Sequence, residues 1–135
     1  MLKKIILYHG VDMKSILIID DEKILVDMFE KILSRFGYDV QIAQTGEEGI
    51  RLFESKDYDL VITDVIMPEM DGNFIANYIR NSSKSYIPVI GMTGTPGYAE
   101  KDCFDALLSK PFSVETLVKS VENFVNMGKS VKTGS

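Results

Sequence analysis

Five polar residues each end an apolar run abruptly. Asp20 and Asp21 follow Ser15-Ile16-Leu17-Ile18-Ile19, Asp64 follows Leu60-Val61-Ile62-Thr63, Thr93 follows Val89-Ile90-Gly91-Met92, and Lys110 follows Ala106-Leu107-Leu108-Ser109. Three carboxylates sharing one crevice would repel one another and hold raised pKa values unless a cation joined them. A hard divalent ion with oxygen ligands resolves that repulsion, and magnesium is the default where phosphate also takes part. Lys110 adds a point charge suited to a phosphoryl oxygen, and Thr93 adds a hydroxyl donor. A carboxylate such as Asp64 can act as a nucleophile and form an aspartyl phosphate. Metal and lysine would then stabilise charge on the transferring group, which is most of what such a transfer requires. Each residue alone has a plainer reading. Paired acids before a helix are commonly helix caps, a lysine before proline is commonly a solvated loop residue, and a single threonine carries little information. The chemistry holds only if folding gathers these residues.

The elements that must gather them are five short apolar runs alternating with helical patterns. The remaining run is Asp39-Val40-Gln41-Ile42-Ala43, which alternates more than the others and is expected near a sheet edge, whereas the near-continuous runs suit strands buried on both faces. Ile24, Leu25, Met28, Phe29, Ile32, Leu33 and Phe36 repeat at helical spacing, and Gly37 supplies a stop. Thr45 and Glu48 form a capping box for a second helix. A third follows Gly72 with Phe74, Ile75, Tyr78 and Ile79, and the last opens at Ser113. The helix between the fourth and fifth strands is expected to be shortened: Thr95 as cap, Pro96 in the first turn, and about two turns to Cys103. Alternating β and α elements imply an α/β fold with a parallel sheet and right-handed crossovers. Ligands in such folds bind outside the carboxyl ends of the strands. All five polar residues therefore fall on one rim.

The chain has 135 residues, the size of one domain, with 45% hydrophobic and 26% charged residues. Its net charge of −5 argues against binding nucleic acid or an anionic membrane through bulk charge. The single cysteine, Cys103, allows no internal disulfide and reads as a small, partly buried apolar residue, since the single histidine, His9, lies far away in sequence. The apolar stretch within Leu2-Lys3-Lys4-Ile5-Ile6-Leu7-Tyr8 is too short for a signal peptide or a membrane span, so the expected setting is cytoplasmic. Residues 1–13 read as an N-terminal extension ending at a second methionine, 14–127 as the compact domain, and 128–135 as a flexible C-terminal tail.

At this point the chain resembles the receiver domain of bacterial response regulators. The resemblance rests on Ile16-Leu17-Ile18-Ile19-Asp20-Asp21-Glu22, on Asp59 to Gly72 with Asp64, Met67-Pro68 and Gly72, on Ile87-Pro88-Val89-Ile90 with Thr93, and on Lys110-Pro111-Phe112. It implies a three-layer, flavodoxin-like, doubly wound five-stranded parallel sheet of order 2-1-3-4-5. It implies Asp64 as phosphoacceptor, taking the group from the phosphohistidine of a sensor histidine kinase or phosphotransfer protein. Asp21 and Asp64 would ligate Mg2+, Asp20 would act mainly through water, and the Ile66 backbone carbonyl would complete the protein ligands. Thr93 would swing to the phosphoryl group, Lys110 would pair with it, and the Lys110–Pro111 bond would be cis. Output would pass through an unknown downstream protein or a homodimer.

Two departures from the family pattern fall on one face. Leu107 stands where an inward-turning aromatic is common, and the stretch from Thr93 to Lys110 is short. Gly94 beside Thr93 should leave the phosphoryl site open. Two other readings stay in play: a silent interaction module that keeps the fold without phosphorylation, and an aspartate-nucleophile phosphohydrolase. Those hydrolases usually carry a second acid two residues after the nucleophile, where this chain has Ile66.

Overall fold

A computed structural model describes residues 13–127. The expected N-terminal extension and C-terminal tail lie almost wholly outside the described residues. The strands are β1 (Ser15–Ile19), β2 (Asp39–Ala43), β3 (Leu60–Asp64), β4 (Val89–Thr93) and β5 (Ala106–Ser109), and the α-helices are α1 (Lys23–Arg35), α2 (Gly46–Ser55), α3 (Gly72–Arg80) and α4 (Val114–Phe124). All strand pairs are parallel, and the order is β2-β1-β3-β4-β5, as expected.

Alternation along each strand divides the core into two layers. Leu17, Ile19, Val61 and Val89 meet Phe53 of α2 and Ile75, Ala76 and Ile79 of α3. Ile16, Ile18, Leu60, Ile62, Ile90 and Met92 meet Val26, Phe29 and Leu33 of α1 and Leu117 and Val121 of α4. Each of the larger of these side chains contributes about 2 kcal/mol of burial. β2 is an edge strand as its alternation predicts, while β5 forms the other edge and is only partly buried. The apolar stripe of α1 is rotated from its expected position. Val26, Phe29 and Leu33 face the sheet, and Ile24 and Met28 face solvent, because apolar residues on this helix cover more than one face and the sheet selects among them.

Helix ends follow their capping chemistry. Gly37 adopts φ 90°, and Tyr38 N and Gly37 N donate to Leu33 O and Ser34 O, closing α1 in a Schellman motif. Thr45 Oγ1 accepts from Glu48 N, while the Glu48 carboxylate reaches Gln44 N. Asp71 caps α3 and Ser113 caps α4.

The segment between β4 and β5 departs from expectation. It forms two separate 3-10 turns, Pro96–Tyr98 and Lys101–Cys103, in place of a short α-helix, and the Thr95 side chain makes no cap bond. Continuing an α-helix from Pro96 would require Glu100 N to bond Pro96 O. Instead Glu100 N donates to the Asn73 side chain on α3, Ala99 is extended, and both Ala99 and Phe104 are buried. So short a helix is marginal by itself, and these tertiary partners decide its fate.

Candidate functional site

Backbone ladder bonds place the polar residues at the carboxyl rim. Asp20 N donates to Ala43 O, Val65 N to Met92 O, and Lys110 N to Thr93 O. Each bond extends a strand pairing by one residue, so the side chains arise from nearly rigid backbone. The loop after Asp64 is folded back by Gly72 N donating to Val65 O at 2.7 Å. Only glycine fits there, since a Cβ on Gly72 would lie 2.3 Å from Asp64 O. Within that loop Glu69 takes φ 68°, and Met70 N donates to Pro68 O, a positive-φ γ-turn of the rarer, strained kind.

Asp20, Asp21 and Asp64 each direct a carboxylate oxygen to a common point, all within 4.8 Å of one another. Asp20 is fully buried and Asp64 nearly so, whereas Asp21 is exposed. Lys110 Nζ stands 3.4 Å from Asp20 Oδ2, 3.4 Å from Asp64 Oδ1 and 3.2 Å from Glu22 Oε1. The helix-cap reading of the acid pair fails, because α1 begins after Glu22 without a side-chain cap and Asp20 Oδ1 accepts from Glu22 N.

The electrostatics follow from this crowding. Burial, with Asp20 beside it, pushes the Asp64 carboxyl up to about 6, and Lys110 only partly opposes the rise. Burial also raises Asp20, against the Glu22 N–H and Lys110. Burial works against the Lys110 charge, but Asp20 and Asp64 outweigh it and hold its pKa above the ordinary lysine value. A cluster with excess negative charge and an all-oxygen donor set fits a hard divalent cation.

Thr93 lies on the same rim, but its hydroxyl is engaged elsewhere: Oγ1 accepts from Thr95 N at 2.9 Å and lies 3.3 Å from Thr95 Oγ1. Ile66 follows Asp64 by two residues and its side chain is half exposed. The Lys110–Pro111 bond is cis. Leu107 pairs with Gly91 across β4–β5 and is partly buried. An apolar cleft lined by Leu25, Met28, Phe29 and Phe112 opens beside Glu22 and Lys110. Sequence reasoning gave no role to Glu22, the third partner of Lys110, although an acid following an acid pair on this rim was the available signal. It also passed over Asn73, whose buried amide ties α3 to the β4–β5 connection.

Among the described residues, no helix is long and apolar enough to cross a membrane. The family model for the response regulator receiver domain matches residues 16–122. The alkaline phosphatase synthesis transcriptional regulatory protein PhoP of Bacillus subtilis is 33% identical over 116 residues, covering 80% of this chain and 48% of its own length. The chain thus spans about half the length of the curated relatives it matches. Among solved structures, the response regulator TrrA from Thermotoga maritima, in complex with Mg(2+)-BeF, is 33% identical with a TM-score of 0.75, covering 83% of this chain and 99% of that one. A response regulator receiver domain protein from Clostridium thermocellum is 28% identical with a TM-score of 0.81, covering 88% and 99%. With its parallel sheet, its acidic pocket and a family match over most of its length, the chain belongs to the response regulator receiver domain family.

Proposed function

We propose that this chain is the phospho-accepting receiver of a two-component or phosphorelay system, acting in the cytoplasm and carrying the phosphoryl group on Asp64. The observation that carries this reading is the convergence of three carboxylates within 4.8 Å, two of them 3.4 Å from the Lys110 ammonium. Asp20, Asp21 and Asp64, with the Ile66 backbone carbonyl, would hold Mg2+, and the ion would supply positive charge to the phosphoryl oxygens. The bound Mg(2+)-BeF in the Thermotoga maritima relative supports that assignment.

A carboxylate oxygen of Asp64 forms the new bond to phosphorus as the N–P bond of a donor phosphohistidine breaks, and the departing imidazole nitrogen keeps the electron pair. The donor belongs to a sensor histidine kinase or phosphotransfer protein, and the apolar cleft beside Lys110 supports approach of a protein partner. Lys110 then exchanges part of its contact with Asp64 for a phosphoryl oxygen. Thr93 leaves Thr95 N and donates its hydroxyl to a second oxygen. Phosphorylation therefore biases a two-state element, and the output is a change in contacts with a downstream protein.

Incubation with magnesium and acetyl phosphate, followed by intact mass measurement, tests this reading. The expected result is one phosphate adduct per chain, absent in Asp64→Asn. Absence of any adduct while Mg2+ binds normally would favour a silent module. Lys110→Ala should keep metal binding and lose the conformational response, read as chemical-shift changes on phosphorylation.

A further inference from the structure

Between α2 and α3, on the outer side of the molecule, lies a groove of about 520 Å3, a volume in the range of ligand pockets. Phe74 and Tyr78, one turn apart on α3, supply its aromatic lining, and Phe74 is 53% exposed. The Tyr78 ring is fixed in place. It stands edge-on to Phe53 with centroids 6.3 Å apart, and its hydroxyl donates to Glu54 Oε2 at 2.5 Å. The other Glu54 oxygen has no hydrogen-bond partner among the described residues, and Glu54 forms no ion pair with them. Asn81, just past α3, donates to Asn77 O at 2.8 Å, which leaves its side-chain oxygen open to an added donor. Asn77 is committed on both atoms: it donates to Asn73 O and Glu100 Oε1 and accepts from the Cys103 thiol, so this wall is set. Among the described residues, no lysine or arginine lines the groove.

Nearby rings and acids of the same kinds find their cations within the chain. Lys84 Nζ lies 4.5 Å from the centre of the Phe53 ring and Lys56 Nζ 5.2 Å from that of Tyr58, while Arg51 pairs with Glu48 and Lys84 with Asp57. Phe74, Tyr78 and Glu54 form an aromatic and acidic set with no such partner. We propose that this groove docks a protein segment that presents an arginine beside an apolar side chain. The guanidinium stacks on an aromatic face while its fork of donors reaches Glu54 and Asn81, and the apolar neighbour covers Phe74. Lysine fits less well, because a compact, strongly hydrated ammonium neither stacks nor bridges two acceptors in a plane. The groove lies on the layer of the core that contains Phe53, whereas the cleft beside Lys110 lies on the layer that contains Phe29. A phosphoryl donor at the cleft and a partner at the groove therefore use opposite sides of the sheet. The docking surface does not rest on the phosphoacceptor reading.

The test follows backbone amide chemical shifts of the full chain at low salt, without metal or phosphoryl donor. The probe is a blocked Gly-Leu-Arg-Gly peptide, set against its Gly-Leu-Lys-Gly analogue and against acetylarginine amide. The arginine peptide should give saturable shifts at the Phe74, Tyr78 and Asn81 amides, with a dissociation constant of about 1 mM. The lysine analogue and acetylarginine amide should each bind at least about threefold more weakly. Glu54→Gln keeps the acceptor for Tyr78 and removes the charge, and Phe74→Ala removes an exposed ring. Each should weaken the peptide about threefold to fivefold, with the rest of the spectrum reporting that the variant is folded. Saturable shifts absent from the groove, or unchanged by both variants, overturn the proposal. Equal binding of the lysine analogue overturns the choice of arginine, and equal binding of acetylarginine amide assigns the groove to a small guanidinium ligand instead of a protein. Groove signals that move with protein concentration alone place a second copy of this chain there and overturn the proposal as well.

Discussion

The acidic pocket and the β4–β5 connection share the same rim, yet they are built in opposite ways. Asp20, Asp64 and Lys110 sit at the ends of strands whose ladder bonds continue one residue past each strand. The loop behind Asp64 is clamped by backbone contact at Gly72. The connection from Thr95 to Phe104 has no strand and no α-helix, and side chains from α3 hold it. A pocket that crowds three carboxylates needs positions set by backbone. A segment held mainly by side chains belongs to the less stable end of a fold. The difference teaches that one rim can combine a pocket set by backbone bonds with a connection set by side-chain bonds.

The largest test of this comparison is Gly72→Ala. Its Cβ would press on Asp64 O at 2.3 Å and on Val65 Cα at 2.8 Å, both backbone atoms that cannot rotate away. The expected cost is about 3 kcal/mol or more in urea unfolding; a loss under 1 kcal/mol would show that the pocket is less rigid than its ladder bonds imply.

Next is Asp64→Asn without metal. The native Asp64 carboxyl titrates at about 6, above its ordinary value of 3.8. A raised acid contributes stability that is fully present below the unfolded value and is lost as pH rises through about 6. At pH 7.5 in chelator, Asp64→Asn should therefore be more stable than wild type by roughly 2 kcal/mol. The gap should close towards pH 4, and magnesium should close it at pH 7.5 by stabilising the ionised wild type. A pH-independent gap would mean that Lys110 already neutralises the pocket.

Asp71→Ala removes the cap of α3, where the side chain accepts from Phe74 N at 3.0 Å, and should cost about 1 kcal/mol. The smallest effect belongs to the β4–β5 connection. Gly97 has open space where a Cβ would go and no positive φ, so Gly97→Ala should change stability by less than about 0.5 kcal/mol or raise it slightly. A cost near that of Gly72→Ala would erase the contrast between the two regions. Together the four variants rank the rim from backbone-fixed to side-chain-fixed.

Much of the pocket was legible because local signals sufficed. Apolar runs that end in Asp20, Asp64, Thr93 and Lys110 mark strand ends, and parallel topology sends those ends to one rim. Gly37, Thr45 and Ser113 announce helix boundaries through backbone chemistry that depends on a few neighbours. The α1 stripe was misread because Ile24 and Met28 are as apolar as the residues that face the sheet, and only packing distinguishes them.

The amino-acid sequence alone determined the strand order and the meeting of Asp20, Asp21, Asp64 and Lys110 at one rim, since these follow from periodicity and parallel topology. Tertiary structure alone decided that Thr95 to Phe104 would form two 3-10 turns on Asn73, that Glu22 would share Lys110, and that the Thr93 hydroxyl would face Thr95. Those outcomes depend on which polar partner the finished fold brings within reach. Residue spacing does not encode that choice, because a hydrogen-bond partner is selected by position in the finished fold.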